Sequence, residues 1–258
     1  MWGDFVRYAV YWVPKRPDPL ARFGYAWTGW CAEQGEHGPR DDFAGNGLNI
    51  RAITRELCGH GIHGVVRSAF RLRSGRSRFS LERALDEIME DCVAFQLPRL
   101  ELAVSHRRVA LVPTQGSTAL DSFLDRIGTA LAPLAGSGAS TPLKVVNGVN
   151  GHAVAGPSGH GAHRFHVPLT DALPEERALE VAGMLKPLVE PILAHPRMIK
   201  DIALMGDPGG GRPLRVLQRY DLLDWPRRRG AARALPCFGP RVLAPLPAEH
   251  PLETDLAF

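Results

Sequence analysis

The sequence predicts an α+β fold of two halves, each with antiparallel strands and a helix or two packed on one face. Three observations predict it. Strand-like runs alternate their side chains with period two, helical runs carry apolar residues at a 3.6 period, and one pattern occurs twice. His63-Gly64-Val65-Val66-Arg67 reads as a strand with His63, Val65 and Arg67 on one face. His166-Val167-Pro168-Leu169-Thr170 repeats the theme, with His166, Pro168 and Thr170 together. Each is followed by a helix carrying the same four letters, Glu82-Arg83-Ala84-Leu85 and Glu176-Arg177-Ala178-Leu179, an echo that points to internal duplication.

Taken in order, residues 5–13 (FVRYAVYWV) are aromatic and β-branched and predict a buried strand, ended by Pro14 and Pro17. Asp18-Pro19 opens a helix in the preferred way, a capping carboxylate followed by proline, and sends Leu20, Phe23, Trp27 and Trp30 inward. Residues 35–47 are a polar, glycine-rich loop, and Asn49 caps a short helix to Leu57. After the first histidine strand, Ser80 caps a helix to Phe95. Strands 99–104 and 109–112 follow, joined by a His106-Arg107 turn, and Ser117 caps a helix to Ala132. After the second histidine strand, Pro174 opens a helix to Leu193. Met198–Met205 and Leu214–Tyr220 then flank a glycine-rich turn and predict a hairpin.

Composition divides the chain into residues 1–133, a Gly/Ser-rich linker or flap at 134–162 with a short strand at Leu143–Val146, a second lobe at 163–221, and a proline-rich tail at 222–258. All belong to one structural unit. With 258 residues, 45% hydrophobic and 22% charged, the chain can bury a large core. A formal charge of +4 suits a small anionic molecule and is too weak to imply nucleic acid, since the basic runs Arg71, Arg73, Arg76, Arg78 and Arg227-Arg228-Arg229 read as a solvated loop and tail. The four cysteines are widely spaced, which fits a reduced, cytoplasmic protein. No apolar run approaches the roughly 18 residues needed to span a bilayer, and the first residues lack the basic run followed by an apolar run that a secretory leader carries. Oligomeric state has no signature here.

Of ten histidines, six fall in two groups: His60 and His63, then His152, His160, His163 and His166. His60-x-x-His63 and His163-x-x-His166 have the spacing of metal pairs, but on a strand residues three apart face opposite ways. The reading is therefore no metal and no other cofactor. Two histidines at matching places in two halves instead suit acid–base chemistry, one imidazole taking a proton and one giving it near neutral pH.

Several stretches carry a family resemblance: Arg7-Tyr8-Ala9-Val10-Tyr11, Pro19 to Gly35, Gly61 to Leu72, Val109 to Pro113, Arg164-Phe165-His166 and Leu214 to Arg219. Across residues 5–221, interrupted at 134–162, the chain resembles the phosphonate-metabolism proteins. These are a branch of the two-histidine (2H) phosphoesterase superfamily, which includes RNA ligase-like cyclic phosphodiesterases. The resemblance implies a bilobal, pseudo-two-fold fold in which two antiparallel sheets flank a central cleft and helices cover the outer faces, with one His-x-Thr/Ser motif per lobe facing that cleft, and phosphoester chemistry without a metal. It implies His63 and His166 as the catalytic pair, Arg67 and Thr170 as anchors for substrate, and Tyr11 as a pocket wall. This sequence departs from the pattern at Val65 and Pro168, where the motif hydroxyls should stand. The expectation is an enzyme acting on a phosphate or phosphonate ester. A lyase, isomerase or cyclase of a less anionic metabolite in specialised biosynthesis is the alternative, and a non-catalytic binding relic a third.

Overall fold

The computed structural model describes residues 5–40, 47–105, 107–136, 147–148 and 165–224. The Leu143–Val146 strand, His106, His152, His160, His163 and all but the first three residues of the proline-rich tail lie outside them.

Strand β1 (Arg7–Trp12) is apolar on both faces because it is covered on both. Tyr8, Val10 and Trp12 enter the main core, while Ala9 and Tyr11 join a smaller cluster on the opposite face. In α1 (Pro19–Thr28) the Asp18 carboxylate accepts from the Leu20 amide at 2.8 Å, as expected of the cap. The helix stops before Trp30, because the Gly29 amide turns back to the Tyr25 carbonyl. Trp30 instead opens β2 (Trp30–Cys31), which pairs with β3 (Glu36–His37). The Asn49-capped helix α2 (Ile50–Ile53) is one turn long, and a separate 3-10 turn spans Leu57–Gly59.

Strand β4 (Gly64–Phe70) is followed by α3 (Arg78–Met89). Ser77, not Ser80, caps α3: its backbone is extended and its hydroxyl accepts from the Ser80 amide at 3.3 Å. The helix ends at Met89, short of Phe95, which lies in β5 (Phe95–Leu97). Strands β6 (Leu100–Ser105) and β7 (Arg108–Pro113) form the expected hairpin, and Ser117 caps α4 (Thr118–Leu131). Then come β8 (Asn147–Gly148), β9 (Val167–Pro168) and α5 (Glu175–Leu193). The stretch Met198–Met205 is divided between two sheets: β10 (Arg197–Ile199) pairs with β5, whereas β11 (Asp201–Asp207) pairs with β1 and with β12 (Arg215–Asp221).

The class is α+β, with two four-stranded antiparallel sheets ordered β12-β11-β1-β4 and β8-β6-β7-β9. Helices α3 and α4 contact the first sheet through β12 and β4, and α5 contacts β6 and β7 of the second. The first sheet draws on interleaved parts of the chain, the two ends of the described body supplying two strands each. The echo of four letters is not a structural equivalence. Leu85 is fully buried on α3, whereas Leu179 is 51% exposed on α5 and Ala178 takes the inward position.

Candidate active site

The first histidine is placed by a turn. Gly61 has φ +70, the left-handed region that a side chain disfavours, and a Cβ there would press on the Trp30 carbonyl at 3.2 Å. This kink sends Ile62 into the main core and lays the His63 ring on Tyr11, with centroids 4.0 Å apart and planes 19° from parallel. It also overturns the expectation that His60 and His63 face apart, since strand geometry begins only at Gly64. Their ring centroids are 5.7 Å apart. Even so, no group of three or more potential metal ligands is found among the described residues.

The His63 Nδ1–H donates to the Gly61 carbonyl at 2.8 Å, which fixes the neutral tautomer and leaves the lone pair on Nε2. Burial is the main cause that lowers the His63 pKa from 6.5 to about 3. The neighbouring His60 and His166 push the same way, and the Gly61 carbonyl opposes them. Burial also lowers His60. His63 is thus a neutral imidazole with one defined acceptor nitrogen.

The second histidine reaches the same place from the other sheet. Phe165, Val167 and Leu169 point into the main core, so alternation puts His166 and Pro168 on the opposite face. The Val65 amide donates to the His166 carbonyl at 2.8 Å, joining the two histidine segments directly. Tyr11, His63, Val65 and His166 are therefore brought together.

Two expected anchors are turned away. Tyr11 pairs with Val65, but Val10 pairs with Arg67, so the register slips by one residue at Val66. Arg67 consequently lies across from a core-facing residue, its guanidinium carbon 5.7 Å from the centre of the Phe70 ring. The Thr170 hydroxyl is committed to backbone: it accepts from the Val109 amide and donates to the Asp171 carbonyl, each at 2.9 Å, with no exposure.

Two residues at this seam escaped sequence reasoning. The Asp171 carboxylate accepts from the Glu56 and Leu57 amides at 2.9 and 3.0 Å, holding the turn that leads to His60. Arg108 alternates with Ala110, which pairs with Pro168, so it stands on the His166 face; its ion pair with exposed Glu56 is long, at 3.8 Å. The strand pairing of 109–112 with the second histidine segment would have revealed Arg108.

The sequence pattern of the family described as "Protein of unknown function (DUF1045)" matches residues 65–140 and 160–215. The chain belongs to this family. The DUF1045 match opens at Val65, beside His63, and takes in His166. No curated protein matches the chain. Solved structures similar to it include a phosphoesterase at 12% identity, covering 84% of this chain and 98% of that one, with a TM-score of 0.41. E. coli LigT complexed with NADP+ is 14% identical, with 86% and 99% covered and a TM-score of 0.43. E. coli LigT complexed with 3'-AMP is 12% identical, with 85% and 99% covered and a TM-score of 0.42.

Proposed function

We propose that this DUF1045 chain is a divergent member of the 2H phosphoesterase group, using His63 and His166 as an acid–base pair on a small phosphate or phosphonate ester. The observation that carries the reading is the meeting of the two histidines from different sheets, bridged by the Val65–His166 backbone bond. The defined tautomer of His63 supports it as the base. In hydrolysis, Nε2 of His63 takes the proton of a water whose oxygen forms the new bond to phosphorus. The bond to the leaving oxygen breaks, and that oxygen takes a proton from His166. A pKa near 3 makes a weak base, but an anionic ester against the ring would favour the imidazolium and draw the value upward. Arg108 supplies positive charge on the His166 face, and Tyr11 walls the site.

A second reading, a lyase, isomerase or cyclase of a less anionic metabolite, is favoured by Val65 and Pro168. Each is buried where a hydroxyl donor to phosphate would serve, and a hydrogen bond to a charged group contributes about 1.5–3 kcal/mol. Hydrolysis of 2',3'-cyclic nucleotides and simple phosphodiesters separates the two. Turnover lost in His63→Ala and in His166→Ala supports the first reading. No turnover, and none gained in the Val65→Thr, Pro168→Thr double variant, overturns it.

A further inference from the structure

Beside the histidines lies a cavity of about 320 Å³ that neither of them lines. Its walls are mainly apolar: Val13 and Trp30 from the small cluster under the first sheet, Ala21 and Tyr25 from α1, and Ile62 from the turn before His63. That volume is at the small end of ligand pockets and matches one fused aromatic ring system. The charges at its mouth do not balance. The Glu33 carboxylate is held by Arg219, which also donates to Asp201 at 2.6 Å, and Asp201 pairs with Lys15. These four groups neutralise one another. Arg16 remains: it is exposed, stacked over the Tyr25 ring at 5.1 Å, and has no carboxylate partner among the described residues. A guanidinium fixed on an aromatic face still presents its N–H edge to a carboxylate or phosphate.

We propose that this cavity is a second binding site, for a flat apolar ring carrying one anionic group, with the ring against Trp30 and Tyr25 and the anion at Arg16. The site abuts the chemistry without sharing its groups. Gly61 and Ile62 line the cavity, and the Gly61 carbonyl accepts from His63. An occupant therefore bears on the peptide that fixes the His63 tautomer.

The test is calorimetric titration of the whole chain with 2-naphthoate, and with 2-naphthol as its uncharged counterpart. Arg16→Gln is expected to weaken naphthoate binding about tenfold and to leave naphthol unchanged. Ala21→Phe, which fills the cavity, is expected to abolish both. The His63→Ala, His166→Ala double variant is expected to bind naphthoate as the wild type does, so the result stands apart from any failure of the catalytic reading. Absence of naphthoate binding at millimolar concentration overturns the proposal, as does equal binding by wild type and Arg16→Gln. Arg16 is exposed, so that variant answers the question even where Ala21→Phe does not fold.

Discussion

The backbone amide of Val65 donates to the carbonyl oxygen of His166 across 2.8 Å, so the two histidine segments are a single hydrogen bond apart. The bond lies beside His63, which is 2% exposed, and runs from β4 of one sheet to the residue just before β9 of the other. It is expected to open only when the body unfolds. In native-state hydrogen exchange, the Val65 amide should be among the slowest in the chain. Exchange at the rate of the exposed loops would show that the two segments part readily.

Acid should weaken the fold through His63. Its folded pKa is depressed from 6.5 to about 3, so between those values the unfolded chain binds a proton that the folded chain refuses. Above about pH 6.5 the group makes no difference. Below that, stability falls by up to about 1.4 kcal/mol per pH unit. His60, lowered in the same direction, adds to the slope. Urea midpoints between pH 7 and pH 4 should decline less steeply in His63→Gln than in the wild type.

Gly64 leaves room for Phe165. A Cβ on it would stand 2.7 Å from Phe165 Cε2, closer still to Cζ, and 3.0 Å from Trp12 Cε3. Gly64→Ala is expected to cost about 1–3 kcal/mol from overpacking. Phe165→Leu in the same chain should recover part of that loss, a coupling that a double-mutant cycle in urea would measure.

Thr170 and Asp171 are predicted to act on stability rather than on turnover. Thr170→Val strands the buried Val109 amide and should cost about 1–3 kcal/mol. Asp171→Ala removes the acceptor for two amides and should cost at least as much. A soluble Thr170→Val protein with unchanged melting temperature but a raised KM would restore its hydroxyl to the substrate.

Local rules made much of this molecule legible. Asp18-Pro19 and Ser117 marked helix starts, and the alternation around Val10 and Tyr11 marked a strand with two covered faces. What escaped depends on partners distant in sequence. The slip at Val66 exists only in the pairing of β4 with β1, so strict alternation misplaced Arg67. Thr170 looked available because its acceptor-seeking neighbour, Val109, lies on another strand. His63 and His166 were readable as a pair, whereas the kink at Gly61 that seats the first of them was not.

The strand order β12-β11-β1-β4 also has a consequence for how the chain comes into being. Arg7 is made well before its strand partner Asp207, which follows 200 positions later. On a ribosome, β1 and β4 must wait, with Tyr11 and Val65 uncovered, until β11 and β12 emerge. Pairing between such remote segments closes long loops and slows folding. A nascent chain halted near residue 195 should therefore need a chaperone, and the histidine seam should be among the last features to form.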